Sequence, residues 1–108
     1  MSKEQKIQEM QRIEQILQNV MMQKQSIQME LAETSSALSE IEKTKDSVYK
    51  VIGQLMIKKE QSEVKDELDN KKKLLNLRLK NLEKQEKDFV EKADKLREEI
   101  MENLEGKK

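Results

Sequence analysis

The chain has 108 residues, 22 of them basic and 22 acidic, so its formal net charge is zero; 41% of its side chains are charged and 34% are apolar. With no Cys, His or Pro and only one Tyr and one Phe, it has no material for disulfides, cysteine-based zinc sites or the usual histidine general base. The same counts leave little for a compact aromatic core, and a mixture dominated by Glu, Lys, Gln and Leu reads as long helices or a coiled coil. Disorder is the rival reading of so polar a chain; zero net charge and an ordered apolar period argue against it.

The N-terminal stretch "MSKEQKIQEM" is polar and does not resemble a signal peptide, and no apolar run approaches the roughly 18 residues that a membrane span needs. A soluble, cytoplasmic protein is the expectation. From Met10 the apolar positions repeat in steps of three and four: Met10, Ile13, Leu17, Val20, Lys24, Ile27, Leu31, Thr34, Leu38, Ile41. Eight of these ten are apolar, which is the inner stripe of a coiled coil. The spacing predicts a first helix over about residues 3–45.

Residues 47–59, "SVYKVIGQLMIKK", break the pattern. They are richer in β-branched residues (Val48, Val51, Ile52, Ile57) and hold the single Tyr, with a Gly at the centre. Gly53 tolerates a positive φ, so Gly53-Gln54 suits a two-residue type II′ hairpin turn. Ile52 then pairs with Leu55, Val51 with Met56, Lys50 with Ile57, and Tyr49 with Lys58. One face carries Val48, Lys50, Ile52, Leu55, Ile57 and Lys59; the other carries Tyr49, Val51, Met56 and Lys58. Both are substantially apolar. A lone hairpin is marginal in water, and its open edges are templates for another strand. The expectation is an oligomer held together at the hairpin through Val48, Tyr49, Val51, Ile52, Gly53, Leu55, Met56 and Ile57. A buried helical connector is the competing reading of this stretch.

The second arm, over about residues 61–104, carries one strong line (Leu68, Leu75, Leu82, Phe89, Leu96) and a weaker companion (Lys65, Lys72, Leu79, Glu86, Ala93, Ile100). One antiparallel register pairs Met10 with Leu96, Ile13 with Ala93, Leu17 with Phe89, Ile27 with Leu79, Leu31 with Leu75, and Leu38 with Leu68. Every pair is centred on Gly53, so two independent heptad lines place the turn inside the hairpin. This favours an intramolecular antiparallel coiled coil, with arms of roughly 60 Å at 1.5 Å per residue, over a parallel dimer of one long helix. Lys24 and Glu86 sit in the seam, where they either pair diagonally and fix register or reach separately to water. "KKK" at Lys71–Lys73 has Asp66, Glu67 and Asp69 nearby and reads as a solvated helix face. The interleaved charges offer no basic face for nucleic acid.

Helix, single hairpin and helix with matched arms resembles a prefoldin subunit of the β class. "VYKVIGQLMIKK" resembles that family's hairpin, "QKQSIQMEL" from Gln23 a segment of its first helix, and "LRLKNLEKQEKDFVEK" from Leu77 a segment of its second. The resemblance covers nearly the whole chain, and the lack of long tails looks archaeal. It implies a single prefoldin-type domain over 1–108 and a hexamer of two α-class and four β-class subunits, whose hairpins build a β platform with projecting arms. It further implies binding of unfolded polypeptides without ATP or any other cofactor, and their delivery to a group II chaperonin.

The two termini meet at the arm tips, where Ile7, Met10, Ile13, Ile16, Leu96, Ile100, Met101 and Leu104 are more apolar than two frayed ends need. Met21 and Met22 also lie off the stripe. Methionine suits promiscuous apolar contact, so these residues are candidates for holding client segments; the plainer alternative is that they widen the seam. An enzyme is the class least expected, since carboxylates on exposed helices have no concave site to tune them. A purely structural coiled-coil spacer is the alternative function.

Overall fold

The computed structural model describes the backbone of residues 2–44 and 47–105, and side chains as far as Glu102. The order is α1 (Lys3–Lys43), β1 (Val48–Ile52), β2 (Leu55–Lys59) and α2 (Gln61–Glu105). The first helix, expected to run to about residue 45, ends at Lys43; Thr44 is not helical, and residue 45 lies outside the described residues.

α1 starts at a capping box. The Ser2 hydroxyl accepts the Gln5 backbone N–H at 3.2 Å, and the Gln5 side chain accepts the Ser2 N–H at 2.9 Å, satisfying donors that a helix start leaves free. At its other end, the Thr44 N–H bonds the Ile41 carbonyl at 3.1 Å in a tightened last turn. The Gln61 side-chain amide also donates to that carbonyl, so the first residue of α2 closes the end of α1.

β1 and β2 form a two-stranded antiparallel sheet with Val48 opposite Lys59, Tyr49 opposite Lys58, Lys50 opposite Ile57, Val51 opposite Met56 and Ile52 opposite Leu55. Gly53 has φ of 58°, and no other described residue has a positive φ. Positive φ at the first turn position alone is the type II′ pattern; type I′ would need it at Gln54 as well. A Cβ at Gly53 would meet nothing within 4 Å, so the turn needs glycine for its dihedral angle and not for space.

The chain divides into two compact units. The described residues of 1–25 and 80–108 form the first. Its core is Met10, Ile13, Ala93 and Leu96, with Leu17, Phe89 and Ile100 packed against them; Val20 and Leu82 are also buried. Ile13 is only 1% exposed. Lys24 Nζ meets Glu86 Oε1 at 3.1 Å, so the polar layer of the seam is an ion pair, and the question left open by the sequence is decided. The second unit is residues 26–79, with Leu38, Leu75 and Thr34 buried between its helical segments. The Thr34 hydroxyl donates to the Glu30 carbonyl at 2.7 Å, which is how a polar side chain is accommodated at a stripe position.

Candidate functional site: the hairpin and the terminal tip

The hairpin belongs to the second unit. Its two faces, both substantially apolar in sequence, differ in their surroundings. The face carrying Val48, Lys50 and Lys59 leans toward α2, and these three are half-buried. Lys50 and Lys59, one from each strand, converge on the single carboxylate of Glu67 at 3.1 and 2.7 Å. Hydrogen bonds from Lys59 and then Lys50 hold the Glu67 carboxyl below the usual carboxylate range, and the same contact raises Lys59. The opposite face is open. Tyr49, Val51 and Met56 are 60%, 64% and 70% exposed; on the face that leans toward α2, Ile52, Leu55 and Ile57 near the turn are exposed too. No described residue of this chain covers the open face. Its outer backbone groups lie on two free strand edges, because the sheet has no third strand. Such a surface can add strands and bury apolar side chains against another chain.

The tip belongs to the first unit. Met10, Ile13 and Leu96 are buried in the seam, Ile16 and Ile100 are half-buried, and Ile7 and Met101 are exposed. Leu104 lies in the last turn of α2, and its side chain is outside the described residues. Met21 and Met22 are exposed on α1. Ile13 and Leu96 floor an open groove of about 310 Å³ edged by Glu9, Lys92, Lys95 and Glu99. Lys6 Nζ stands 3.7 Å from Glu99 Oε2, and Arg12 hydrogen-bonds Glu9 and keeps its carboxyl below the usual range. An apolar floor with charged rims favours adaptable contact with apolar segments over one shaped ligand.

Sequence reasoning missed the Glu67 contact. Lys50 and Glu67 are 17 residues apart and belong to different elements, so no helical or strand spacing reports them. Among the described residues no cluster of three or more His, Cys, Asp or Glu is placed to hold a metal, and no helix is long and apolar enough to cross a membrane.

The family model described as "Prefoldin subunit" matches residues 4–107. The chain is 42% identical over 89 residues to the prefoldin subunit beta of Thermococcus onnurineus, covering 81% of this chain and 77% of that protein. With the prefoldin subunit beta of Methanospirillum hungatei it shares 33% identity over 101 residues, covering 92% of this chain and 84% of the other. Its fold is similar to the crystal structure of the prefoldin beta subunit from Thermococcus strain KS-1, with a TM-score of 0.88 and 36% identity over 94% of this chain and 91% of that one. Two long helices joined by one small antiparallel hairpin, and matches of this extent, place the chain in the prefoldin subunit family, in its beta class.

Proposed function

We propose that this chain is a non-enzymatic, cytoplasmic chaperone subunit acting as one domain over 1–108. It assembles through its hairpin with α-class prefoldin subunits, as four copies with two of the partner. The assembly holds unfolded polypeptides at the coiled-coil tips without ATP and passes them to a group II chaperonin. Neither nucleic acid nor membrane is a partner.

The observation that carries this reading is where the exposed apolar groups gather. Tyr49, Val51, Ile52, Leu55 and Met56 stand open on the hairpin, and Ile7, Met21, Met22 and Met101 on the terminal helical segments. The first group suits permanent burial against other subunits, and the second, rich in methionine, suits transient contact with many sequences. Burial of Met10, Ile13 and Leu96 is the one feature that favours a plain spacer, since these three are spent in the seam.

The test is suppression of aggregation of a chemically denatured protein by the chain mixed with an α-class subunit, with the mass of the assembly measured alongside. Removal of residues before Ile13 and after Leu96 takes away Ile7 and Met101 but keeps Met21 and Met22; it is expected to leave the mass per assembly at the value set by the shortened chains and to weaken suppression strongly. Undiminished suppression by the truncated assembly would sink tip binding and favour contact elsewhere on the arms.

A further inference from the structure

A second surface lies on α2 within the hairpin unit. From Asn70 to Leu79 the helix carries Lys71, Lys72, Lys73 and Arg78 and no carboxylate. Among the described residues no carboxylate comes within ion-pair reach of these four. Of the acidic neighbours in sequence, Glu67 is taken by the two hairpin lysines, and Asp66 and Asp69, on the turn before the cluster, form no ion pair with it. On the same stretch Leu74 and Leu77 are 49% and 56% exposed, although Leu75 beside them is 2% exposed and fills the seam.

Helix geometry orders these side chains. Leu74 and Leu77, three apart, are neighbours on one face. At 3.6 residues per turn, Lys71 and Arg78, seven apart, lie along one side of that pair, and Lys73 lies along the other. The result is a leucine pair rimmed by cations on both sides. Because the whole chain carries no net charge, this field is local to the face.

We propose that this face of α2 docks an acidic, leucine-bearing segment of another polypeptide. Charge complementarity selects the occupant. Carboxylates on either side of an apolar residue would meet Lys71 and Arg78 along one rim and Lys73 along the other, while the apolar residue covers Leu74 and Leu77. A nucleic-acid strand fits less well. The exposed centre of the face is aliphatic, and the single Tyr of the chain, Tyr49, is on the hairpin, so the face offers no aromatic platform on which a base could stack.

The test uses the whole chain and a short fluorescein-labelled peptide of leucine and glutamate, followed by fluorescence anisotropy. Its leucine–lysine counterpart and an unstructured RNA oligonucleotide serve as competitors. The acidic peptide is expected to bind, to weaken as salt is raised, and to be displaced by neither competitor. Reversal of two rim charges, Lys73→Glu with Arg78→Glu, is expected to weaken it about tenfold. Leu74→Ser with Leu77→Ser is expected to weaken it by a similar factor, with helicity by circular dichroism unchanged in both variants because all four side chains are exposed. Binding that ignores both pairs of substitutions overturns the proposal. Equal displacement by RNA, untouched by the leucine substitutions, overturns it in favour of a plain polyanion surface. A change in the mass of the chain caused by either variant overturns it in favour of a contact between copies.

Discussion

Ile13 and Val51 are both β-branched side chains in regular structure, yet one is 1% and the other 64% exposed. The difference lies in what each unit can supply from its own chain. In the terminal unit, α1 and α2 bring matched stripes together, so Met10, Ile13, Ala93 and Leu96 bury one another. The hairpin has a helix on one side only, met through Lys50, Lys59 and Glu67. Its Tyr49–Val51–Met56 face has no cover among the described residues. The seam is an intramolecular solution to apolar burial, and on the reading proposed above the hairpin is completed by another chain.

Substitutions sharpen this contrast. Ile13→Ala leaves a hole in a packed seam and is expected to cost about 2–5 kcal/mol, read as a lower midpoint of thermal unfolding. Val51→Ala on the open hairpin face is expected to change the stability of an isolated chain by about 0.5 kcal/mol or less. Similar losses at the two positions would erase the distinction. At the turn, Gly53→Ala keeps the space and loses only the freedom to hold φ at 58°. It is expected to cost about 1–2 kcal/mol, with Gly53→Asn costing less; equal tolerance of Ala and Gly would mean that the turn is not held as type II′ in solution.

A smaller effect is expected in the seam's polar layer. Lys24 and Glu86 are each partly exposed at 3.1 Å, so replacing Glu86 by Gln is expected to cost about 1 kcal/mol or less. Replacing both by Leu is expected to raise stability while relaxing register, seen as broader amide exchange along α1.

The smallest effect is a pH dependence of the hairpin. Glu67 is depressed by its lysine contacts, so its contribution is present above the ordinary carboxylate pKa and is lost as pH falls through the depressed value. Lys59 is raised by the same contact, so its contribution is present below the ordinary lysine pKa and is lost only as pH climbs through the raised value. Amide exchange in β1 and β2 is therefore expected to speed up in acid before α1 and α2 are affected, and Glu67→Gln is expected to remove that acid limb. An unchanged acid limb in Glu67→Gln would assign it to another group.

Much of this fold is legible in the residues. Stripe positions with a common centre place the turn at Gly53, and "VIGQLM" specifies strand register and turn type. The Lys24–Glu86 pair was visible as two opposite charges in one seam, but its closure depended on distance. The Ser2 cap was present in plain form as Ser2-Lys3-Glu4-Gln5, an available signal that heptad reasoning passes over. Other features have no local signal. Which hairpin face turns to α2 is decided by Glu67, and Gln61 reaches the Ile41 carbonyl across 20 residues. At the tip, composition marked a set of apolar residues. Only packing separates Met10, Ile13 and Leu96, which are spent in the seam, from Ile7 and Met101, which remain open.

The central claim is that other chains complete the hairpin, and light scattering of the purified chain tests it most directly. Val51 and Met56 face each other on the open side of the sheet, so Val51→Lys with Met56→Lys places repulsive charges there without touching the seam. The account predicts a multi-chain species for the unaltered chain and a single chain of 12.8 kDa with unchanged helicity for the variant. A variant that keeps the multi-chain mass would contradict it, because association would then reside elsewhere.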